Sequence, residues 1–216
     1  MKQVYLKSKS LLLLFVMLCV SVSAFAVDET VCIDGVYYSL KNDGWSCAYY
    51  DSNNVYYSTP YYSKAAVVVA EPGVDMWQSG CVDTYQGDLI IPEKVSYNGT
   101  DYPVVEIGYG AFANCELLTS IQLPSTIVYI NRYAFRNCKT LSTLNLPKSI
   151  FYLENETFDE SYFSQINIDS NNEKYSSIDG VLYDKNVTSI FSFPAKKNWQ
   201  IHNSVNYFDN KGKQLS

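Results

Sequence analysis

The sequence predicts a mainly β protein with short irregular or helical turns. It reads as a solenoid of parallel strands with a 23-residue period, capped at its N-terminal end by an antiparallel β-sheet. Three observations carry this prediction. Residues 107–129 (IGYGAFANCELLTSIQLPSTIVY) and 130–152 (INRYAFRNCKTLSTLNLPKSIFY) align along their whole length without a gap. Each copy contains apolar residues that alternate and then stop at a proline. Upstream, the texture changes to tyrosine-rich and β-branched segments separated by Asn, Asp and Gly turns.

The two copies match at Phe112 and Phe135, Cys115 and Cys138, Leu118 and Leu141, and Pro124 and Pro147. In Leu118-x-x-Ile121-x-Leu123 the last two apolar residues fall on one face of a short strand, and proline ends it. The return segment carries Ile127, Ile130, Ala134 and Phe135, which are expected to point back under the strand. One copy cannot bury these residues, whereas stacked copies can, so the strands are expected to pair in parallel. The Asn-Cys pair is expected to form a ladder at the turn after the phenylalanine. A third copy starts at Leu153, with Phe158 in the phenylalanine position and Glu160-Ser161 replacing Asn-Cys. One residue is then lost, and Phe163, Ile166 and Ile168 follow as counterparts of Leu118, Ile121 and Leu123. Leu89-x-Ile91-Pro92 resembles the strand end of an earlier copy. Phe191-x-Phe193-Pro194 and Trp199-x-Ile201 read as degraded strand ends.

In the N-terminal third, Ile33-Asp34-Gly35-Val36-Tyr37-Tyr38 echoes Ile178-Asp179-Gly180-Val181-Leu182-Tyr183, and both read as strands entering from an Asp-Gly turn. Residues 64–70 and 87–91 read as further strands, the first a central one. These strands are expected to form a small antiparallel sheet that closes the first copy, since an open solenoid end exposes core and strand edges. Tyrosine occurs 20 times. The pairs Tyr37-Tyr38, Tyr49-Tyr50, Tyr56-Tyr57 and Tyr61-Tyr62 suit either an exposed aromatic platform for glycan or protein, or rings that pack the sheet on alternate faces, and the second reading is preferred.

The first 26 residues combine Lys2, Lys7 and Lys9, a short apolar run and Ala24-Phe25-Ala26, the pattern of a cleaved secretory signal peptide. The organisation expected is a signal peptide at 1–26, a β-rich cap at 27–102, repeats at 103–210 with an inserted hairpin near 171–185, and a tail at 211–216. Of the 16 basic residues, three lie in the signal, leaving 13 against 22 acidic residues and a net charge of −9. That balance disfavours nucleic acid and anionic membrane as partners. No membrane insertion is expected after signal removal. Export permits disulfides, and Cys32–Cys47 is the preferred pair. Cys115 and Cys138 suit a ladder of buried free thiols better than a disulfide, because their Cβ vectors run parallel.

The pattern I-x-x-x-A-F-x-x-C-x-x-L-x-x-I-x-L-P resembles the BspA-type (treponemal-type) leucine-rich repeat over roughly residues 85–207. Tyr97-Asn98-Gly99-Thr100-Asp101-Tyr102-Pro103-Val104 resembles the hairpin that leads into the repeats of that family, and residues 178–183 resemble its recurrent insertion. The resemblance implies a secreted or cell-surface protein of bacteria, acting in adhesion or in binding protein or glycan.

No catalytic arrangement is legible. His202 is the single histidine, where the repeat proline is expected, and it reads as a surface replacement. The cysteine spacings match no metal pattern, no phosphate loop is present, and no cofactor is implied. Asp159-Glu160 reads as solvated surface. A binding face is expected on the concave side of the strands, at Ser120, Gln122, Thr143, Asn145, Gln165 and Asn167. These are either ligand-binding columns or the wet side of a half-buried sheet. A degenerate paralogue that folds but no longer binds, or a secreted hydrolase, are the alternatives.

Overall fold

The computed structural model describes residues 28–50, 56–73, 84–192, 194, 207–208 and 214–215. The expected signal peptide, His202 and the segment Trp199-x-Ile201 lie outside them. No helix occurs among the described residues; the connections are irregular turns. Among these residues there is accordingly no helix long and apolar enough to cross a membrane.

The chain begins with β1 (Glu29–Ile33), β2 (Val36–Lys41), β3 (Ala48–Tyr50), β4 (Tyr56–Ser58) and β5 (Ala65–Val68). It continues with β6 (Gly87–Ile90), β7 (Lys94–Tyr97), β8 (Thr100–Ile107), β9 (Leu118–Gln122), β10 (Tyr129–Ile130), β11 (Thr143–Leu146), β12 (Tyr152–Leu153) and β13 (Gln165–Ile168). β14 (Tyr175–Ile178), β15 (Val181–Asp184), β16 (Ile190–Ser192), β17 (Tyr207–Phe208) and β18 (Gln214–Leu215) complete it. Within the expected tail, β18 pairs antiparallel with β17.

Two parallel ladders enclose the core of the repeats. The expected one joins β6 to β9 and β11 to β13. The second goes beyond the sequence pattern: the return segments themselves pair, β8 with β10 and β10 with β12, at a constant offset of 23 residues, as in Glu106↔Tyr129↔Tyr152. Between the ladders Ile107, Ile130 and Leu153 meet Leu144, Leu146 and Ile166, all buried. The Ala-Phe turns make a third line of contact. Phe112 donates its N–H to Ala134 O at 2.8 Å, and Phe135 donates to Thr157 O at 3.0 Å. The rings of Phe112, Phe135 and Phe158 stack at 5.3 and 6.2 Å between centroids. Burial of such a ring contributes about 2–3 kcal/mol.

The expected Asn ladder forms. Asn114 and Asn137 both take left-handed backbone, at φ 57° and 54°, and Asn137 Nδ2 donates to Asn114 Oδ1 at 2.7 Å. Asparagine tolerates this conformation better than most residues. Glu160 keeps the same backbone at φ 54°, and Ser161 takes over the cysteine position, its hydroxyl donating to Phe135 O as Cys138 Sγ donates to Phe112 O. The lost residue shows as a 22-residue register between β11 and β13, with Thr143 opposite Gln165.

Three expectations need correction. The strand ladder is not continuous, because β9 and β11 do not pair. Thr140 Oγ1 instead donates to the carbonyls of Glu116 and Leu118 at 2.7 and 2.8 Å. The N-terminal cap is antiparallel through β1, β2 and β5, as expected, and β5 then joins β8 in parallel, so cap and repeats share one sheet. The Cys32–Cys47 disulfide is absent, and both are free thiols. Cys32 sits on β1, while the Cys47 thiol lies beside Glu106 on β8, three strand intervals away. At about 4.8 Å per interval that exceeds the roughly 7 Å limit between Cα atoms of a disulfide. Cys115 is disulfide-bonded, which overturns the free-thiol ladder at that position, and its partner is outside the described residues. Cys138 remains a buried free thiol, its pKa pushed up to about 12 by burial.

β14, β15 and β16 form an antiparallel sheet that packs against β13. Ile166 N–H donates to Gly180 O at 2.8 Å, and Ile168 N–H donates to Ser177 Oγ at 3.0 Å, so this hairpin satisfies the free edge of β13.

Candidate functional site

The outer face of the leucine-strand ladders is the surface expected to bind. Along β9, Leu118 and Ile121 turn inward while Ser120 and Gln122 are exposed. The three-residue spacing of the apolar pair breaks strict alternation, and the β6–β9 register shifts at the same place, opposite Thr119. β11 and β13 repeat the pattern with Thr143 and Asn145, then Gln165 and Asn167. The structure therefore brings all six predicted residues to one face. Ser120, Gln122, Asn145 and Gln165 are exposed, and Thr143 and Asn167 are half-buried.

Register arranges them in two rows. Pairing of β11 with β13 sets Thr143 beside Gln165 and Asn145 beside Asn167. Pairing of β6 with β9 adds Asp88 beside Ser120 and Ile90 beside Gln122. Asp88 and Ile90 are additions to the six predicted residues. A sequence signal for them exists: the match of Leu89-x-Ile91-Pro92 to Ile121-x-Leu123-Pro124 places them in register with Ser120 and Gln122. Ile90 is 69% exposed, an unusual position for an isoleucine, and it gives the rows an apolar head.

Side-chain hydrogen bonds hold part of the face in place. Asp88 Oδ1 accepts from Ser120 Oγ at 2.6 Å and from Thr119 Oγ1 at 3.1 Å. The Ser120 and Thr119 hydroxyls hold the Asp88 carboxyl below the usual carboxylate range. Asn167 Nδ2 donates to Asn145 Oδ1 at 3.0 Å. A shallow depression of about 390 Å³ opens at the end of these rows, lined by Asn145, Asn167, Leu123, Pro147 and Asp169. At the other end, Ile90 also walls a cleft of about 370 Å³ with Ile33, Tyr38 and Pro92.

The eight side chains offer amide and hydroxyl donors and acceptors, one carboxylate and one apolar contact. Among the described residues no group of three or more His, Cys, Asp or Glu is placed to hold a metal ion. The tyrosine pairs divide between the two readings: Tyr38 is buried and Tyr37 half-buried, whereas Tyr61 is exposed beside a half-buried Tyr62.

The BspA type leucine rich repeat region family matches residues 95–211 in six copies, more than half of the chain. No curated protein matches the sequence. Among solved structures, the pneumococcal vaccine antigen PcpA is 14% identical, with 83% of this chain and 60% of the antigen covered and a TM-score of 0.35. A leucine-rich repeat protein from Bacteroides capillosus is 19% identical, with 65% of this chain and 98% of its own covered and a TM-score of 0.37. A leucine-rich repeat protein from Bacteroides ovatus is 25% identical, with 50% of this chain and 32% of its own covered and a TM-score of 0.34.

Proposed function

Because this chain belongs to the BspA-type leucine-rich repeat family, we propose that it is a non-catalytic binding protein, secreted or displayed at the bacterial surface, whose ladder face docks a protein or glycan. One observation carries the reading. Eight side chains from β6, β9, β11 and β13 lie in two rows on one face, and two pairs of them are already joined by hydrogen bonds. Such joined groups lose less freedom when a ligand arrives. The signal-like residues 1–26 support export. The face has a single ionisable group, Asp88, which supports recognition over catalysis.

The test displays residues 27–216 to an array of host matrix proteins and glycans, beside the triple variant Gln122→Ala, Asn145→Ala and Asn167→Ala. Binding that is lost in the variant is the expected result. Binding that persists unchanged refutes the face, and no binding anywhere favours a paralogue that only folds. Hydrolysis on a broad substrate panel overturns the non-catalytic reading.

A further inference from the structure

On the side of the molecule opposite the ladder face, the outer surface of the sheet β1-β2-β5-β8-β10-β12 carries the segment between β2 and β5. There an open cleft of about 580 Å³ is walled by Trp45, Tyr61, Gly44, Asp28, Lys41 and Asp43. Its size lies within the range of ligand clefts.

The aromatic wall is fixed from below. Trp45 Nε1 donates at 2.7 Å to Oε2 of Glu106, a buried carboxylate of β8. Trp45 and Tyr62 exchange backbone hydrogen bonds at 2.8 and 2.9 Å, and their rings meet at 5.9 Å. The indole N–H is thus committed inward and the ring is held.

Tyr61 is the outward member of its pair and is 68% exposed. Its ring lies directly on the backbone of Gly44, where a Cβ would fall 2.0 Å from the tyrosine oxygen. Only glycine leaves room for the ring there, and the φ of +103° also favours glycine. The Tyr61 hydroxyl donates to Asp43 O at 3.2 Å, which anchors the tip of the ring.

The rim holds donors and acceptors side by side. The Lys41 ammonium pairs with the Asp28 carboxylate, and Asp43 also lines the cleft. A hydroxyl group both donates and accepts, so it suits such a rim. The C–H face of a pyranose suits an anchored, exposed aromatic ring. The lysine disfavours a purely cationic ligand, and the two carboxylates disfavour an anionic one.

We propose that the N-terminal cap carries a second binding site, a cleft for a neutral oligosaccharide, with Tyr61 and Trp45 as the stacking surface and Lys41, Asp28 and Asp43 as partners for the hydroxyls. It is separate from the ladder face and does not depend on it.

The test titrates residues 27–216 with chitotetraose, cellotetraose, maltotetraose and mannotetraose, read by tryptophan fluorescence and calorimetry. At least one sugar is expected to saturate. Tyr61→Ala weakens that binding by about tenfold or more, while Tyr61→Phe, which keeps the ring, stays within about twofold. The triple ladder-face variant binds the sugar as the parent does. Circular dichroism checks that the variants are folded. The proposal is overturned if no sugar saturates, if Tyr61→Ala binds as the parent does, or if the signal disappears only in the ladder-face variant. Saturation by Nα-acetyl-lysine amide but by none of the sugars overturns it in favour of a cationic ligand.

Discussion

Two hairpins of this molecule share a sequence pattern and a turn. Ile33-Asp34-Gly35-Val36 and Ile178-Asp179-Gly180-Val181 pair their outer residues across left-handed Asp-Gly turns, with φ of 49° and 81° in the first and 51° and 76° in the second. Their surroundings differ. A Cβ placed on Gly35 would meet nothing within 4 Å, whereas one on Gly180 would fall against Gln165 of the last ladder strand. The first hairpin ends a sheet that runs on through β5 into the repeats as backbone. The second lies along β13, and its Gly180 carbonyl accepts the Ile166 N–H. Local sequence sets the turn, and the neighbour sets what the turn does.

Beside β12 and β13, side chains supply partners that repeat backbone supplies elsewhere. Asn172 is buried; its Nδ2 donates to Lys148 O and Ile150 O at 3.0 and 2.7 Å, and its Oδ1 accepts from the N–H groups of Lys174 and Tyr175. The Tyr175 hydroxyl accepts the N–H of Leu153 at the edge of β12. Asn172→Ala should therefore produce the largest loss, about 3–4 kcal/mol, because several buried backbone groups lose partners at once. Urea unfolding measures it. A loss below about 1 kcal/mol means that water replaces the amide and that this edge is not sealed as described.

The two glycines test the comparison directly. Gly35→Ala should cost about 1 kcal/mol, the strain of a positive φ in an open turn. Gly180→Ala adds a Cβ at 2.9 Å from the Gln165 backbone and should cost about 2–3 kcal/mol. It should also speed amide exchange at Ile166, whose N–H depends on Gly180 O. Equal costs for the two variants break the distinction between the hairpins.

What is legible in the sequence follows from how each feature is encoded. The repeat register is legible because Phe112 and Phe135, and Leu118 and Leu141, are buried in the same way in the two clean copies. The one-residue loss before Phe163 is legible for the same reason. The second ladder is not, because β10 and β12 are only two residues long and cannot show alternation. Ile127 and Ile130 mark it as buried without marking it as paired. The six face residues are legible by strand alternation. Asp88 and Ile90 are legible only through the match of Leu89-x-Ile91-Pro92 to Ile121-x-Leu123-Pro124, which is easily passed over because the sequence texture groups β6 with the cap; pairing with β9 puts them on the face. The cysteine pairing depends on strand order, which spacing along the chain does not encode.

The smallest expected effect separates the two ends by pH. The N-terminal closure contains a buried acid, Glu106, which accepts hydrogen bonds from Trp45 of the cap and Asn131 of the next copy. Burial raises its carboxyl above the usual value, and those two hydrogen bonds only partly oppose the rise. The folded state therefore holds this proton more tightly than the unfolded chain does. Its stabilising contribution is complete below the unfolded value near 4.5 and is lost as pH rises through the folded value. Glu106→Gln removes the titration, so the variant should gain on the parent in urea unfolding as pH rises from about 4 to about 7. Amide exchange at Trp45 and Tyr62 should show the same trend, while exchange at Ile166 and Leu153 should not. Against the effect of burial, hydrogen bonds from Ser189 and Thr188 hold the carboxyl of the second hairpin, Asp184, below the usual carboxylate range, so it does not titrate as pH rises from about 4 to about 7. Parallel stability curves for parent and variant across this range would show that the carboxylate is solvated, and the contrast between the two closures would then rest on the hairpins alone.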